Sequence, residues 1–395
     1  MVKNMAAKKR VHVKNRARKK FSEVDGDMKI GKGATIIAEN KTIVVHGKIK
    51  NKGGFKCKGN LEVLSIESRK GSVKIFGDLT VKREIDAEKK LIVSGSLEAE
   101  DVSAGMTVRV YKDVKADKIS AGFQVDLRGN AEVDSISAGA RVLLTTGKVG
   151  KASAGMSVIT KKEIELEKAS AGMSVKLLGI SKVGKASAGM SVKSKKDAEI
   201  EVASAGMSVK FFGKTKVRKA DAGMKVKAKN VIEFGEISAG MSVILKKDAT
   251  GEKASAGMRV HGKSNIILSG SASAGLSVSA YKKLEAENLS AGKKIKAKFI
   301  KAESITVARK GRLVGIVQAE SVVLKERARA KNLYVSELEM MERSRARNVF
   351  ANKIIIEDYA VLSGKVEYTD SIDAEGKAKI RAKPKKVKEL PAPKF

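Results

Sequence analysis

The sequence predicts an all-β protein: a single long parallel β-solenoid of about 20 coils with a 17-residue period, flanked by disordered basic tails. Three observations carry this expectation. The motif SAGMSV and its variants recur twelve times, with glycines at 105, 122, 139, 155, 172, 189, 206, 223, 240, 257, 275 and 292, a mean spacing of 17. The residues around each motif alternate apolar and polar, as a strand with one buried face does. All three prolines, Pro384, Pro391 and Pro393, lie at the C-terminus. A stacked sheet needs its backbone N–H groups for the ladder, so a proline-free body fits.

Helical repeats need about 33 residues or more for two helices, whereas 17 residues with glycine and β-branched runs suit one β-coil. The period extends beyond the motif. Ile85-Asp86-Ala87 stands 17 residues before Val102-Ser103-Ala104, and Ala302-Glu303-Ser304-Ile305 stands 17 before Ala319-Glu320-Ser321-Val322. The expected organisation is a basic arm over 1–24, a solenoid over 25–380 and a basic, proline-containing tail over 381–395. Within the solenoid, 103–295 are regular SAGMSV coils and 296–380 are Arg-rich divergent coils. In Ile237 to Val243, one parity holds Ile237, Ala239, Met241 and Val243, which predicts an internal methionine ladder filling a thin core. Its replacement by Lys293 predicts a change of coil shape there. Lys161-Lys162 and Lys195-Lys196 alternate with Leu177-Leu178-Gly179 and Phe211-Phe212-Gly213, which reads either as a two-coil superperiod or as a relic of duplication.

Charge is the second strong signal. Lys and Arg number 81 against 44 Asp and Glu, a net of +37. Residues 1–24 carry +8 and residues 376–395 carry +7, which leaves +22 on the body. Such a balance implies a polyanionic partner, most simply nucleic acid, with an anionic membrane surface as the alternative. The candidate phosphate-binding residues are the polybasic cluster Lys8, Lys9, Arg10, Arg16, Arg18, Lys19 and Lys20, and an Arg ladder in the divergent coils. That ladder comprises Arg309, then Arg327, Arg329 and Lys331, then Arg343, Arg345 and Arg347. Basic residues at every second strand position share a face, and stacked coils would gather them into a patch for a phosphate backbone. The competing reading pairs these arginines with Glu326 and Glu342. Aromatic platforms for stacking bases are scarce, so binding is expected to be independent of sequence.

Nothing in the chain asks for an enzyme, a cofactor, a metal or a small-molecule substrate. His12, His46 and His261 lie far apart, and none stands beside cysteine or paired acids at ligand spacing. The repeated glycines read as architecture and not as a phosphate cradle. The coils do not keep the sixes of hexapeptide acyltransferases, nor the inserted loops of pectin-cleaving β-helices. Cys57 is the only cysteine, which excludes an internal disulfide and suits a reducing cytoplasm. No apolar run reaches membrane-spanning length.

Two segments, Ser72-Val73-Lys74-Ile75-Phe76-Gly77-Asp78-Leu79-Thr80-Val81 and Leu91-Ile92-Val93-Ser94-Gly95-Ser96-Leu97-Glu98-Ala99, resemble the bactofilins, polymer-forming β-helical cytoskeletal proteins. The resemblance is of pattern, clearest over residues 28–100. It implies a non-enzymatic scaffold that stacks end to end into filaments without nucleotide. The charge implies the alternative, a sequence-independent DNA- or RNA-binding protein associated with chromatin or nucleoid.

Overall fold

The computed structural model describes residues 10–393. Among them every regular element is a β-strand, and the pairs between successive coils are parallel. The chain divides into two compact units, Met1–Ala198 and Glu199–Phe395. Each is built as a β-solenoid, about 22 turns in all with a period of roughly 17 residues.

The coil from Ile164 to Ile180 shows why the sequence folds this way. Ile164 and Leu166 are buried while Glu165 points out. Glu167 and Lys168 are then both exposed. Two successive outward residues break the alternation of a straight strand, so the chain bends there. Ala169 turns inward and Ser170 outward, after which Gly172 and Met173 are again both exposed. Val175 and Leu177 return to the core, and Leu178 to Ile180 close the coil. Three bends make a three-sided coil with three outward faces. We call them the ladder face (Glu165), the serine face (Ser170) and the cationic face (Ser174 and Lys176).

The core is a set of aliphatic columns. Val108, Val125, Val142, Val158, Val175 and Val192 occupy one register and are fully buried. The glycine of each motif has a steric reason. A Cβ on Gly240 would lie 2.1 Å from the carbonyl oxygen of Gly223, its counterpart one coil earlier. The corner is too tight for any side chain in the stacked direction.

The methionines are not the internal ladder that alternation predicted. Strands run Ile232–Ala239 and Ser242–Leu245, so Gly240 and Met241 form the bend between them. Met106, Met156, Met173, Met190, Met207, Met224 and Met241 are exposed, at 43–48% of their surface, and Phe123 more so. The bend resets the parity, and the residue that looked inward by counting faces out.

The coil does change shape just after Lys293. From residue 308 the Gly-Met bend gives way to a turn whose third residue is left-handed: Lys310, Arg327, Arg343 and Tyr359, with φ of 57–59°. Backbone bonds close these turns, as from Ala328 N–H to the Lys325 carbonyl at 2.8 Å. Each left-handed non-glycine residue costs on the order of 1 kcal/mol.

The tails also differ from expectation. Residues 10–24 do not form a disordered arm: Val11–Val13 pair with Met28–Ile30, and Arg18–Phe21 pair with Thr35–Ala38. Val13 is fully buried, so Val11 and Val13 supply apolar alternation enough to add a coil. At the other end Lys385 and Lys386 pair with Glu367 and Tyr368, inside the segment expected as a free tail. Lys8 and Lys9 lie outside the described residues.

Candidate functional site

The three faces differ sharply in charge. On the ladder face one outward residue per coil forms a column, Glu98, Lys115, Glu132, Lys148, Glu165 and Lys182 in the first unit. The signs alternate from coil to coil. Lys148 and Lys182 approach the two oxygens of Glu165 at 3.9 and 4.0 Å. The alternation repeats every second coil, which gives the superperiod a physical basis: each acid sits between two bases. In the second unit the corresponding column holds Lys216 and Glu233 and is then interrupted by Thr250 and Ile267. There the face opens into a concavity of about 990 Å³, lined among others by Phe234, Glu199, Glu201 and Glu252.

The serine face is nearly uncharged. In the first unit its column runs Ser103, Ser120, Ser137, Ser153, Ser170 and Ser187.

The cationic face carries two columns. In the first unit one column passes through Arg18, Thr35, Lys56, Lys74, Ile92 and Arg109 to Asp126. Asp126 is buried between Arg109 and Arg128, whose Nε atoms lie 2.9 and 3.3 Å from its Oδ2. Lys176 and Lys193 follow in adjacent coils. In the second unit one column reads Ser208, Lys225, Ser242, Arg259, Ser277, Lys294 and Arg312. Single bridges extend it to Arg329 and Arg345, and Lys379 stands two coils further. The other column carries Lys210, Lys227, His261 and Lys296, then Lys331, Arg347 and Arg381. Neither column of this unit holds an Asp or Glu from Ser208 to Arg381.

The expected Arg ladder thus splits in two. Arg309, Arg327 and Arg343 sit at the bend. Arg309 Nε lies 2.9 Å from Glu326, Arg327 Nε 3.3 Å from Glu326, and Arg343 Nε 3.3 Å from Glu342. For these three, pairing with the neighbouring glutamates is what the structure shows. Arg329, Lys331, Arg345 and Arg347 stand on the cationic face, exposed, and among the described residues none of them makes an ion pair within 4.0 Å. Of the N-terminal cluster, Arg18 joins the cationic column, while Lys19 takes the register of inward-facing Ile36 on the first coil. Arg10, Arg16 and Lys20 are exposed around that coil, and Arg16 occupies a left-handed turn position. Lys294 and Lys296 belong to the face but were not singled out from the sequence. Their signal was present as 17-residue spacing, most plainly in Lys176, Lys193, Lys210 and Lys227.

The histidines are less isolated than their sequence positions imply. His46 Nε2 lies 2.7 Å from Glu23 Oε1, and donor atoms of Glu23, Asp25 and His46, all exposed residues, lie within 4.8 Å of one another. His261 stands on the cationic face, where burial first and then Lys263 and Arg259 hold its pKa below the ordinary imidazole range. Cys57 is buried in the core, and burial pushes its thiol up to about 12. No helix among the described residues is long and apolar enough to cross a membrane.

Comparison of the chain with protein-family models, curated proteins and solved structures found no match.

Proposed function

We propose that this chain is a non-enzymatic scaffold that holds a polyanion, nucleic acid foremost, along its cationic face. One observation carries the reading: both outward columns of the second unit run from Ser208 to Arg381 without an acid. An excess of positive charge spread evenly would give only solubility. Here bases on the ladder face of the first unit are matched by acids, while the cationic columns of the second unit carry bases and no acid. Successive coils stand about 4.8 Å apart, so cations that alternate with serine, such as Lys225 and Arg259, stand about 10 Å apart, and duplex DNA offers about one charge per 1.7 Å. Binding would release counterions from the polyanion, so affinity is electrostatic and independent of sequence. The columns from Ser208 to Arg381 contain no Phe, Tyr or Trp, the usual means of stacking bases.

The test is fluorescence anisotropy with labelled duplexes of unrelated sequence, using nuclease-treated protein over a salt series. The reading requires similar affinities for all duplexes and a steep fall with salt. Affinity unchanged from low to high salt rejects it.

A second reading, end-to-end filaments of the bactofilin type in a reducing cytoplasm, draws on a different observation. Among the described residues Val11–Val13 and Arg18–Phe21 are hydrogen-bonded along one edge only. An open edge is a template for another strand. Negative-stain electron microscopy of nuclease-treated protein decides it: long unbranched filaments support the reading, and single particles at all concentrations reject it.

A further inference from the structure

We infer that the serine face and the methionine ridge beside it form the surface on which a second copy of this chain packs side by side. The inference is independent of the polyanion reading and uses a different face. A body with a large positive charge repels its own kind, and two of its three faces offer a copy nothing neutral. The cationic face repels its equivalent, and the ladder face has its charges paired within one chain. From Ser103 to Ser187 the serine column carries no charge at all. Along its edge Met106, Phe123, Met156, Met173 and Met190 stand exposed. Their backbones stack directly, as from Met173 N–H to the Met156 carbonyl at 3.0 Å.

Among the described residues this ridge of apolar side chains is left about half exposed. Methionine adapts its shape to an apolar surface at little cost. The flat serine strip beside it lets a second backbone come close. Its hydroxyls turn into their own ladder, where Ser170 and Ser187 lie 3.3 Å apart and Ser120 donates to the Val102 carbonyl at 3.4 Å. Losing water there leaves fewer unsatisfied groups.

The occupant is named by the period. A ridge with a knob in five of six coils, Ala140 being the gap, seats best against a surface with the same rise, and another copy of this solenoid has it by construction. Six coils from Met106 to Met190 make a strip about 29 Å long and roughly 16 Å wide. A pair joined through that strip buries roughly 900 Å², near the lower limit for a specific complex, so association is weak and concentration-dependent. The second unit repeats the ridge with Met207, Met224 and Met241. Lys151, Lys168 and Lys185 lie on the far bend of the strip. Their repulsion sets the sign of the salt effect: screening favours the pair.

The test is sedimentation equilibrium of nuclease-treated protein up to about 0.5 mM, at about 50 mM and about 500 mM salt. The average mass should rise from one chain toward two with concentration, and more at high salt. Met173→Lys with Met190→Lys should remain at one chain, with an unchanged β-sheet circular dichroism spectrum because both side chains are exposed. If that variant misfolds, the milder Met173→Ser with Met190→Ser should still weaken association. Arg345→Ser with Arg347→Ser should associate as the parent does. A parent mass constant over the whole range overturns the inference, as does a lysine variant that pairs like the parent. Association that falls with salt and vanishes in the arginine variant overturns it too. That pattern means bridging by residual polyanion and leaves the polyanion reading standing.

Discussion

A Cβ placed on Gly172 would stand 2.1 Å from the carbonyl oxygen of Gly155, one coil earlier in the stack. The clash is with backbone, which cannot swing aside. The same distance recurs from Gly122 to Gly105 and from Gly223 to Gly206. Gly172→Ala is therefore expected to lower the thermal midpoint by several degrees, from a cost on the order of 1–3 kcal/mol for overpacking. Ser170→Ala, two residues away on the open face, should leave the midpoint within a degree or so. Equal melting of the two variants would refute the steric account.

Reversing one rung of the ladder face tests the charge alternation. Glu165→Lys puts three lysines in one column, at 148, 165 and 182. These groups are exposed, so the loss is about 0.5–1 kcal/mol and shrinks with salt. Glu165→Gln removes the two attractions without adding a repulsion, so it should cost less than Glu165→Lys. Denaturation at low and high salt reads both effects.

Arg345 and Arg347 supply two cations on the acid-free face. Arg345→Ser with Arg347→Ser should weaken duplex binding for every sequence alike and reduce the slope of log K against log salt by about 1 for each phosphate no longer neutralised. Arg327→Ser with Arg343→Ser removes arginines paired to Glu326 and Glu342 and should change that slope less. The same loss from both pairs would show that net charge, and not position, governs binding.

His261 reports directly on the cationic face. Burial, then Lys263 and Arg259, depress its pKa. A phosphate backbone laid over the face brings opposite charge and should raise it. An NMR titration of the imidazole with and without duplex should show an upward shift on binding, and no shift would place the polyanion elsewhere.

The Cys57 thiol, raised to about 12 by burial, should resist alkylation in the folded protein near pH 8 and react once the chain is denatured. The sign for stability follows. Below the ordinary thiol pKa both states are protonated and the group is neutral to folding. As pH rises from about 9 towards about 12, only the unfolded chain loses the proton, so stability falls. Fast labelling of native protein at pH 8 would contradict the burial of Cys57.

Much of the fold is legible in particular residues. The spacing of Gly105 to Gly292 gives the coil length, and the alternation at Ile164-Glu165-Leu166 gives a one-sided strand. The absence of proline before Pro384 gives the unbroken ladder. Met241 escapes this reading, because counting by twos from Ile237 assumes a straight strand and places the side chain inside. Residues 10–24 escape it because Val11 and Val13 are a short signal within a basic run, and a terminal coil needs only one neighbour to pack against. For the candidate site, Arg329, Lys331, Arg345 and Arg347 are legible as a basic stripe. Arg309, Arg327 and Arg343 share their composition and nearly their parity, yet the turn puts them beside glutamates.

The sequence by itself determined the period, the parallel stacking and the aliphatic interior, because a 17-residue repeat brings like residues together whatever the coil's outline. Only the tertiary structure decided which side each charge faces. Three bends per coil, fixed by close approaches between coils such as Gly172 on Gly155, reset the inward–outward count. That reset gathers the acids of the ladder face between bases and puts the methionines in solvent. It leaves the cationic columns of the second unit with lysines and arginines and no acid.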